Sequence, residues 1–211
     1  MSILNTNNNT HDTAGLASKL VYKYGKEILN SKEFEQQKNF FQHGDHTVYK
    51  HSVDVAKKSA ELALKYFHDV DYSSLIRGAL LHDYFLYDWH EKNLPNKIHG
   101  FTHPSKAAKN AARDFGINHK EKIIIKRHMF PLTPIPPTIR EAWIICIADK
   151  MCATHETVRG IIIKIGLYEL LKIFNQRHHI RIPKLLSKIA VLDIIRSIYT
   201  FIINKKNGDF S

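Results

Sequence analysis

The sequence predicts an all-α fold that ends in a helical extension. Apolar residues recur every three or four positions along most of the 211-residue chain, a period typical of amphipathic helices. No convincing alternation of apolar and polar residues predicts a strand, and no internal repeat is present. Since 44% of the residues are hydrophobic, the chain can form the core of one full domain.

The N-terminal part is predicted to hold three helices. Residues 1–12 are polar and rich in asparagine, and we expect a disordered leader there. From Thr13 onwards apolar residues recur at every fourth position, which predicts the first helix. A short helix is predicted at Glu33–Phe41, before the break at Gly44. A long helix is predicted at Thr47–Phe67, because apolar residues follow one of its faces.

The middle of the chain is predicted to alternate helices with loops. Asp71–Tyr87 is predicted to be helical around an apolar centre, and residues 88–102 are predicted to form a loop. Pro104 marks the start of the next helix and Gly116 its end, in keeping with the preferences of these residues at helix termini. Another helix is predicted at His119–Met129.

The C-terminal part begins with four prolines that favour an extended loop. A strongly apolar helix is predicted at Thr138–His155, followed by two helices near Arg159–Asn175 and Pro183–Asn204. A boundary is therefore predicted between a domain at residues 13–158 and a helical extension at residues 159–211. The wide apolar face of the last helix is expected to pack on the core or on a partner subunit, as in a homodimer.

Charge and composition limit the classes of function. The formal net charge is +11, and residues 160–211 carry nine Lys or Arg against three Asp or Glu. A basic surface attracts polyanions such as nucleotides. No apolar run reaches the roughly 18 residues of a membrane span, and the N-terminus lacks a secretory signal, so we expect a cytoplasmic protein. Cys146 and Cys152 are expected to be buried, reduced thiols.

Buried polar residues point to the site of chemistry. The dipeptide His-Asp occurs three times, once in the leader, once beside a turn, and once as His82-Asp83 inside an apolar helix. Burying this pair without partners costs several kcal/mol, and a metal ion would compensate. Asp149 raises the same question in another apolar helix, and His51 shares a helical face with core residues. Two imidazoles and two carboxylates suit Mn, Fe, Co, Ni or Zn.

These four residues resemble a known signature. His51, the pair His82-Asp83 and Asp149 are similar to the H…HD…D motif of the HD-domain metal-dependent phosphohydrolases, over roughly residues 40–156. The resemblance implies a helical bundle of the HD type with a metal site at its centre.

Two further histidines resemble the additional ligands of binuclear HD proteins. Such proteins include the HD-GYP phosphodiesterases and the HD-type diadenosine tetraphosphate hydrolases. The resemblance implies that His103 and His128 hold a second divalent ion and that Asp83 bridges the two. His99 lies in the same loop as His103 and is its rival. We favour His103 because Pro104 fixes its direction at the predicted helix start.

The sequence also departs from these relatives. The Gly-Tyr-Pro signature is absent after His128, which argues against a cyclic dinucleotide substrate. The lysine that often follows His-Asp is absent too, so another cation must contact the phosphate. Lys106, Arg127 and Lys150 flank the expected ligands and join Asp83 as candidate catalytic residues. The whole pattern resembles a bacterial HD subgroup of unassigned substrate.

The predicted activity is hydrolysis of a phosphoester or phosphoanhydride by attack of a metal-bound hydroxide. A nucleotide is the expected substrate, with Tyr84, Tyr87 and Trp89 exposed to hold its base. The alternatives are a di-iron oxygenase on the same scaffold and a nucleotide-sensing or nucleic-acid-binding module, although no nucleic-acid motif is present. The other histidines are expected at the surface or in support of the ligands: His43, His46, His90, His119, His155, His178 and His179.

Overall fold

The computed structural model describes residues 7–43, 46–88 and 98–178 and confirms the all-α class. The helices are α1 Asn7–Leu29, α2 Lys32–Glu35, α3 Val48–Tyr66, α4 Tyr72–Leu81, α5 His99–Phe115, α6 His119–Arg127 and α7 Arg140–His178. A 3-10 helix, Gln36–Asn39, follows α2, and a small antiparallel hairpin of β1 Phe41–His43 and β2 His46–Thr47 precedes α3. None of the described helices is long and apolar enough to cross a membrane.

The chain divides into two compact units, residues 1–156 and residues 157–211. The predicted break between a helix at Thr138–His155 and another at Arg159–Asn175 is wrong, because α7 is one continuous helix of 39 residues. Glu156, Thr157 and Val158 stand between the two predicted helices, and none of them is a helix breaker. The helix predicted at Pro183–Asn204, with its expected packing on the core or a partner, lies outside the described residues.

The N-terminal region differs from its prediction in two places. Helix α1 begins at Asn7, so the last six residues of the expected disordered leader are helical. The helix predicted at Glu33–Phe41 is only partly correct. Its α-helical part is a single turn, begun where the Ser31 side chain accepts the N–H of Phe34, and the chain then passes through the 3-10 helix into β1. Phe40 is already extended, and its carbonyl accepts the N–H of Val48.

Helix α4 is shorter than predicted and ends at Leu81 rather than Tyr87. Asp71 begins it by accepting the N–H of Ser74 with its side chain. Leu86 has a φ of +56°, a left-handed conformation that cannot continue a right-handed helix. The pair His82-Asp83 therefore lies at the turn that ends the helix and not within it.

Helix α5 begins at His99, five residues before its predicted start at Pro104. Pro104 removes one backbone hydrogen bond in the second turn without ending the helix. The predicted end is confirmed, because Gly116 caps α5 in the left-handed conformation with a φ of +57°. Asn118 and Glu121 then form a capping box that begins α6 at the predicted His119.

The core of the first unit lies between α1, α3, α4, α5, α6 and the start of α7. Small residues allow these helices to approach closely. A Cβ atom added at Gly78 of α4 would lie 2.7 Å from Cγ2 of Ile124 in α6. The two helices thus meet with no room for a side chain at this position, which fixes the spacing between their C-terminal ends.

We expect Gly78→Ala to destabilise the protein by about 1–3 kcal/mol, because the new methyl group must displace Ile124 in a packed core. Gly15→Ala is the matched control, since Gly15 also lies in a helix but has no atom within 4 Å of an added Cβ. That substitution should leave stability unchanged or raise it by up to about 1 kcal/mol. Urea unfolding measures both. Equal stability of the two variants would contradict the close contact of α4 with α6.

Candidate metal centre

Six buried residues from five parts of the fold meet around one carboxylate. They lie in the first turn of α3, at the turn after α4, in α5, at the end of α6 and in α7. They are His51, His82, Asp83, His103, His128 and Asp149. All six are the residues that the sequence analysis named as metal ligands. The structure thus brings together side chains that are separated by as many as 98 positions in the chain.

The inner group consists of His51, His82, Asp83 and Asp149. Nε2 of His51 lies 3.2 Å from Oδ1 of Asp149 and 3.8 Å from Oδ2 of Asp83. Nε2 of His82 lies 3.4 Å from the same Asp83 oxygen and 3.7 Å from Oδ1 of Asp149. Two imidazole nitrogens and two carboxylate oxygens therefore converge on one point, in a mixed donor set that transition metals favour.

The outer group consists of Asp83, His103 and His128. Here the other carboxylate oxygen, Oδ1 of Asp83, lies 3.1 Å from Nε2 of His103 and 3.5 Å from Nε2 of His128. Each oxygen of Asp83 thus faces a different pair of histidines. The three side chains of the outer group lie close enough to hold one ion, and so do His51, His82 and Asp83.

The imidazoles are oriented with their lone pairs inward. Nδ1 of His82, His103 and His128 lies 2.7–2.9 Å from the carbonyl oxygens of Ala79, His99 and Ile125, respectively. A carbonyl only accepts, so Nδ1 carries the hydrogen and donates it in each ring.

This orientation leaves two lone pairs facing each other in the outer group. Nε2 of His103 and Nε2 of His128 are only 2.9 Å apart. At this distance either one ring carries a second proton and donates it to the other nitrogen, or both lone pairs bind one cation. Nitrogens bound to one metal ion at about 2.0–2.1 Å lie roughly 3 Å from each other. The spacing of the two rings therefore fits a shared metal ion.

Glu156 supports His51 from behind, and the sequence analysis did not identify it. Both of its carboxylate oxygens lie close to Nδ1 of His51, at 3.0 and 3.1 Å. Glu156 is buried, with 4% of its surface exposed. It follows Asp149 by seven residues, which places both on one face of α7. This spacing was the available signal in the sequence.

Electrostatics make the inner group a site for positive charge. Burial disfavours a charged imidazole, but the carboxylates of Asp149 and Glu156 outweigh it and raise the pKa of His51 to about 10. Burial also opposes a charged carboxylate, yet the surrounding imidazoles hold the pKa of Asp83 well below its usual range. In the outer group, burial prevails and lowers the pKa of His128. Positive charge is therefore stabilised more strongly by the inner group.

A cavity of about 560 Å³ borders the centre. Lys150 lines it, with Nζ 2.8 Å from the carbonyl oxygen of His128 and 3.6 Å from Oδ2 of Asp149. Two other candidate cations are not among the described lining residues. Nζ of Lys106 lies over the ring of Tyr87, 4.2 Å from its centre, and Arg127 is half-buried on α6. Of the three, Lys150 is the one that the structure brings to the cavity.

His99 and His103 lie one turn apart on α5, and their rings stack with centres 4.5 Å apart. His103 faces Asp83, whereas His99 lines the cavity and its Nδ1 shares a hydrogen bond of 2.7 Å with the hydroxyl of Tyr87. Within the described residues, only His103 of the two falls into a group that can hold a metal.

The prediction that three aromatic side chains are exposed to hold a base is partly wrong. Tyr84 is fully buried and donates its hydroxyl to Asp114, so the prediction that it is exposed is wrong. The side chain packs against Phe115 because the turn after α4 directs it into the core. Tyr87 is half-buried, and Trp89 lies outside the described residues.

The burial of the remaining histidines and of the two cysteines agrees only partly with the predictions. His119 and His155 are exposed, as expected of surface residues, whereas His46 is buried in β2. Both cysteines are free thiols, but only Cys146 is buried, while Cys152 is half-buried.

Comparison with known proteins gives one match. A family model for the HD domain matches residues 48–154. The matched segment covers half of the chain and contains all six residues of the inner and outer groups, but not Glu156. No curated protein and no solved structure matches the chain.

Proposed function

Because the chain belongs to the HD domain family, whose members are generally metal-dependent hydrolases, we propose that it is a metal-dependent phosphohydrolase. The observation that carries this proposal is the position of Asp83. Its two oxygens face two separate pairs of buried imidazoles, all within 3.8 Å. A carboxylate that lies between two groups of nitrogen donors would suit a pair of metal ions.

The proposed ligands are the six residues of the inner and outer groups. Two divalent transition metals, from among Fe, Mn, Co, Ni and Zn, would polarise the phosphoryl oxygens and activate water for in-line attack. The protein's own contribution is to hold the donors in place before the substrate arrives. Carbonyl oxygens fix three of the rings through Nδ1, and Glu156 fixes His51.

Lys150 is the proposed contact for a phosphate oxygen. Its ammonium group lies beside His128 and Asp149 and borders the cavity, so it can stabilise the charge that develops on non-bridging oxygens. Lys106 and Arg127 remain candidates only for parts of the substrate that extend beyond the described lining. A volume of about 560 Å³ suits a molecule of nucleotide size, and we propose a nucleotide or a similar phosphoester as the substrate.

We expect Lys150→Ala to lower kcat by about 10²–10³, the usual effect of removing one donor that stabilises transition-state charge. The metal content should change little, because Lys150 is not itself a proposed ligand and its partner Asp149 keeps its contacts with His51 and His82. Lys109→Ala is the control and should retain near-normal kcat, since Lys109 is exposed on α5 and is not among the described lining residues of the cavity. Similar losses in both variants would contradict the assignment of the cation.

The proposal is tested by measuring the hydrolysis products, both free phosphate and nucleotides separated by chromatography, with metal-free protein reconstituted with each of the five metals. The substrates are nucleoside mono-, di- and triphosphates, dinucleoside polyphosphates and p-nitrophenyl phosphate. We expect metal-dependent hydrolysis of at least one class, equal in air and under nitrogen. Turnover that requires oxygen would favour a di-iron oxygenase instead. No turnover with any metal would contradict the proposed hydrolase and favour a binding module.

A further inference from the structure

We propose that the two groups bind metal ions with unequal strength, and that Glu156 is the positioning residue that makes the inner group the tighter one. This inference rests on the proposed metal centre and extends it to the order in which the ions bind. The inner group fills first and holds its ion, whereas the ion of the outer group exchanges.

Two carboxylates of α7 contact the ring of His51 from opposite sides. Asp149 lies 3.2 Å from Nε2 of His51, and Glu156 lies 3.0 Å from Nδ1 on the opposite side of the ring. The side chains of His51, Glu156 and Asp149 are 0%, 4% and 11% exposed, respectively. Glu156 therefore fixes the ring so that Nε2 points to the inner group. A carboxylate that accepts from Nδ1 also increases the basicity of the nitrogen that binds the metal.

The other three imidazoles have a different hydrogen-bond partner at Nδ1. His82, His103 and His128 each donate from Nδ1 to a neutral backbone carbonyl. A carbonyl fixes the ring but adds no full negative charge. Of the four rings, His51 is the one whose Nδ1 hydrogen-bonds to a carboxylate within the described part of the chain.

The inner group also carries more negative charge than the outer group. The inner group has the carboxylates of Asp149 and Asp83, with Glu156 behind them, whereas the outer group has only its share of Asp83. The attraction between opposite charges in a buried site exceeds that in water several-fold. A divalent ion is therefore stabilised more strongly in the inner group than in the outer one.

The two groups also differ in how far they are open to the cavity. The described lining of the cavity includes Asp83, His103 and His128, which form the outer group. Of the inner group, the lining includes Asp83 and Asp149 but not His51 or His82, which are fully buried. All the donors of the outer group thus border the cavity, through which its ion can leave, whereas both imidazoles of the inner group lie behind the lining.

The test is a titration of the metal-free, full-length protein with Co²⁺. Binding is monitored by calorimetry and by the visible absorption of the bound Co²⁺. We expect two phases in the wild type, the tight one first. Glu156→Gln should weaken the tight phase by about 10–100-fold and shift its absorption bands, the usual effect of losing a supporting carboxylate. The weak phase should keep its affinity. His128→Ala should remove the weak phase alone.

Glu141→Gln is the matched control. Glu141 is another buried carboxylate on α7, but it accepts the backbone N–H of Asp71 away from the metal centre. This variant should bind Co²⁺ in both phases as the wild type does. Gln at position 156 still accepts the hydrogen of Nδ1, whereas alanine does not, so the affinity of the tight phase should fall in the order Glu, Gln, Ala.

A single phase in the wild type, an unchanged tight phase in Glu156→Gln, or equal weakening of both phases would overturn the inference. If Glu156→Ala does not fold, as judged by circular dichroism of the metal-free protein, the Gln variant decides. Metal binding is measured without substrate. Two unequal phases in a protein that hydrolyses no phosphoester would therefore contradict the proposed function alone.

Discussion

Replacing Asp83 with alanine should abolish phosphate release, with a loss of at least about a thousandfold. Asp83 is the residue shared by both groups, and each of its oxygens faces two imidazole nitrogens. Without it, four buried imidazoles and Asp149 cannot hold two ions at bridging distance. Metal ions supply several kcal/mol of transition-state stabilisation, and each 1.4 kcal/mol changes a rate tenfold. Phosphate release and metal content of the purified variant measure the loss.

Asp54→Asn is the control for this experiment. Asp54 lies on α3, three residues after His51, but its carboxylate pairs with Lys50 at 2.7 Å on the outer side of the helix. The variant should keep both ions and full activity. An Asp83→Ala variant that retained two ions and wild-type turnover would show that Asp83 does not bridge the groups.

Arg77→Ala should lower the free energy of unfolding by about 3 kcal/mol, the lower end of the range for breaking a buried ion pair. Arg77 of α4 donates to Glu121 at 2.8 Å and to the carbonyl of Phe115 at 2.9 Å. Glu121 is 1% exposed, so the substitution leaves a buried carboxylate without its cation. It also removes the side chain that ties α4 to the end of α5 and the start of α6. Urea unfolding measures the change.

Arg113→Ala provides the comparison. Arg113 pairs with its neighbour Asp114 at 2.6 Å, but its side chain is mostly exposed. Exposed ion pairs contribute little to stability, so this control should lose much less stability than Arg77→Ala. If Arg77→Ala and Arg113→Ala lost the same amount, Arg77 would not be the buried link between α4 and α6.

The sequence predicted Asp149 and the pair His82-Asp83 because these polar residues stand in apolar segments, whereas His103 and His128 were predicted from the resemblance to binuclear HD proteins. Asp149 stands after six mostly apolar residues, and His82-Asp83 follows Leu80 and Leu81. Buried polar and charged side chains need partners, and a metal ion can be the partner of both imidazoles and carboxylates. The six residues do lie together, while their role as ligands stays a prediction.

Other features depended on contacts that are distant in sequence. Glu156 stands among Thr154, His155 and Thr157, a stretch typical of a solvated helix face. It is buried because it meets His51, which is 105 residues away. The start of α5 was also mispredicted, because a proline at the sixth residue of a helix has the same local appearance as one at its start. Tyr84 was expected at the surface, since nothing local shows that the turn after Leu81 directs it into the core.

The most direct test of the binuclear centre is elemental analysis of the protein and its His128→Ala variant, both reconstituted and kept with free metal above the concentration that fills the weak phase. His128 contributes to the outer group alone, with Nε2 3.5 Å from Oδ1 of Asp83. The account predicts about two transition-metal ions per chain in the wild type and about one in the variant, as a two-metal site requires. Equal metal content in both proteins, or one ion in the wild type after reconstitution, would contradict it.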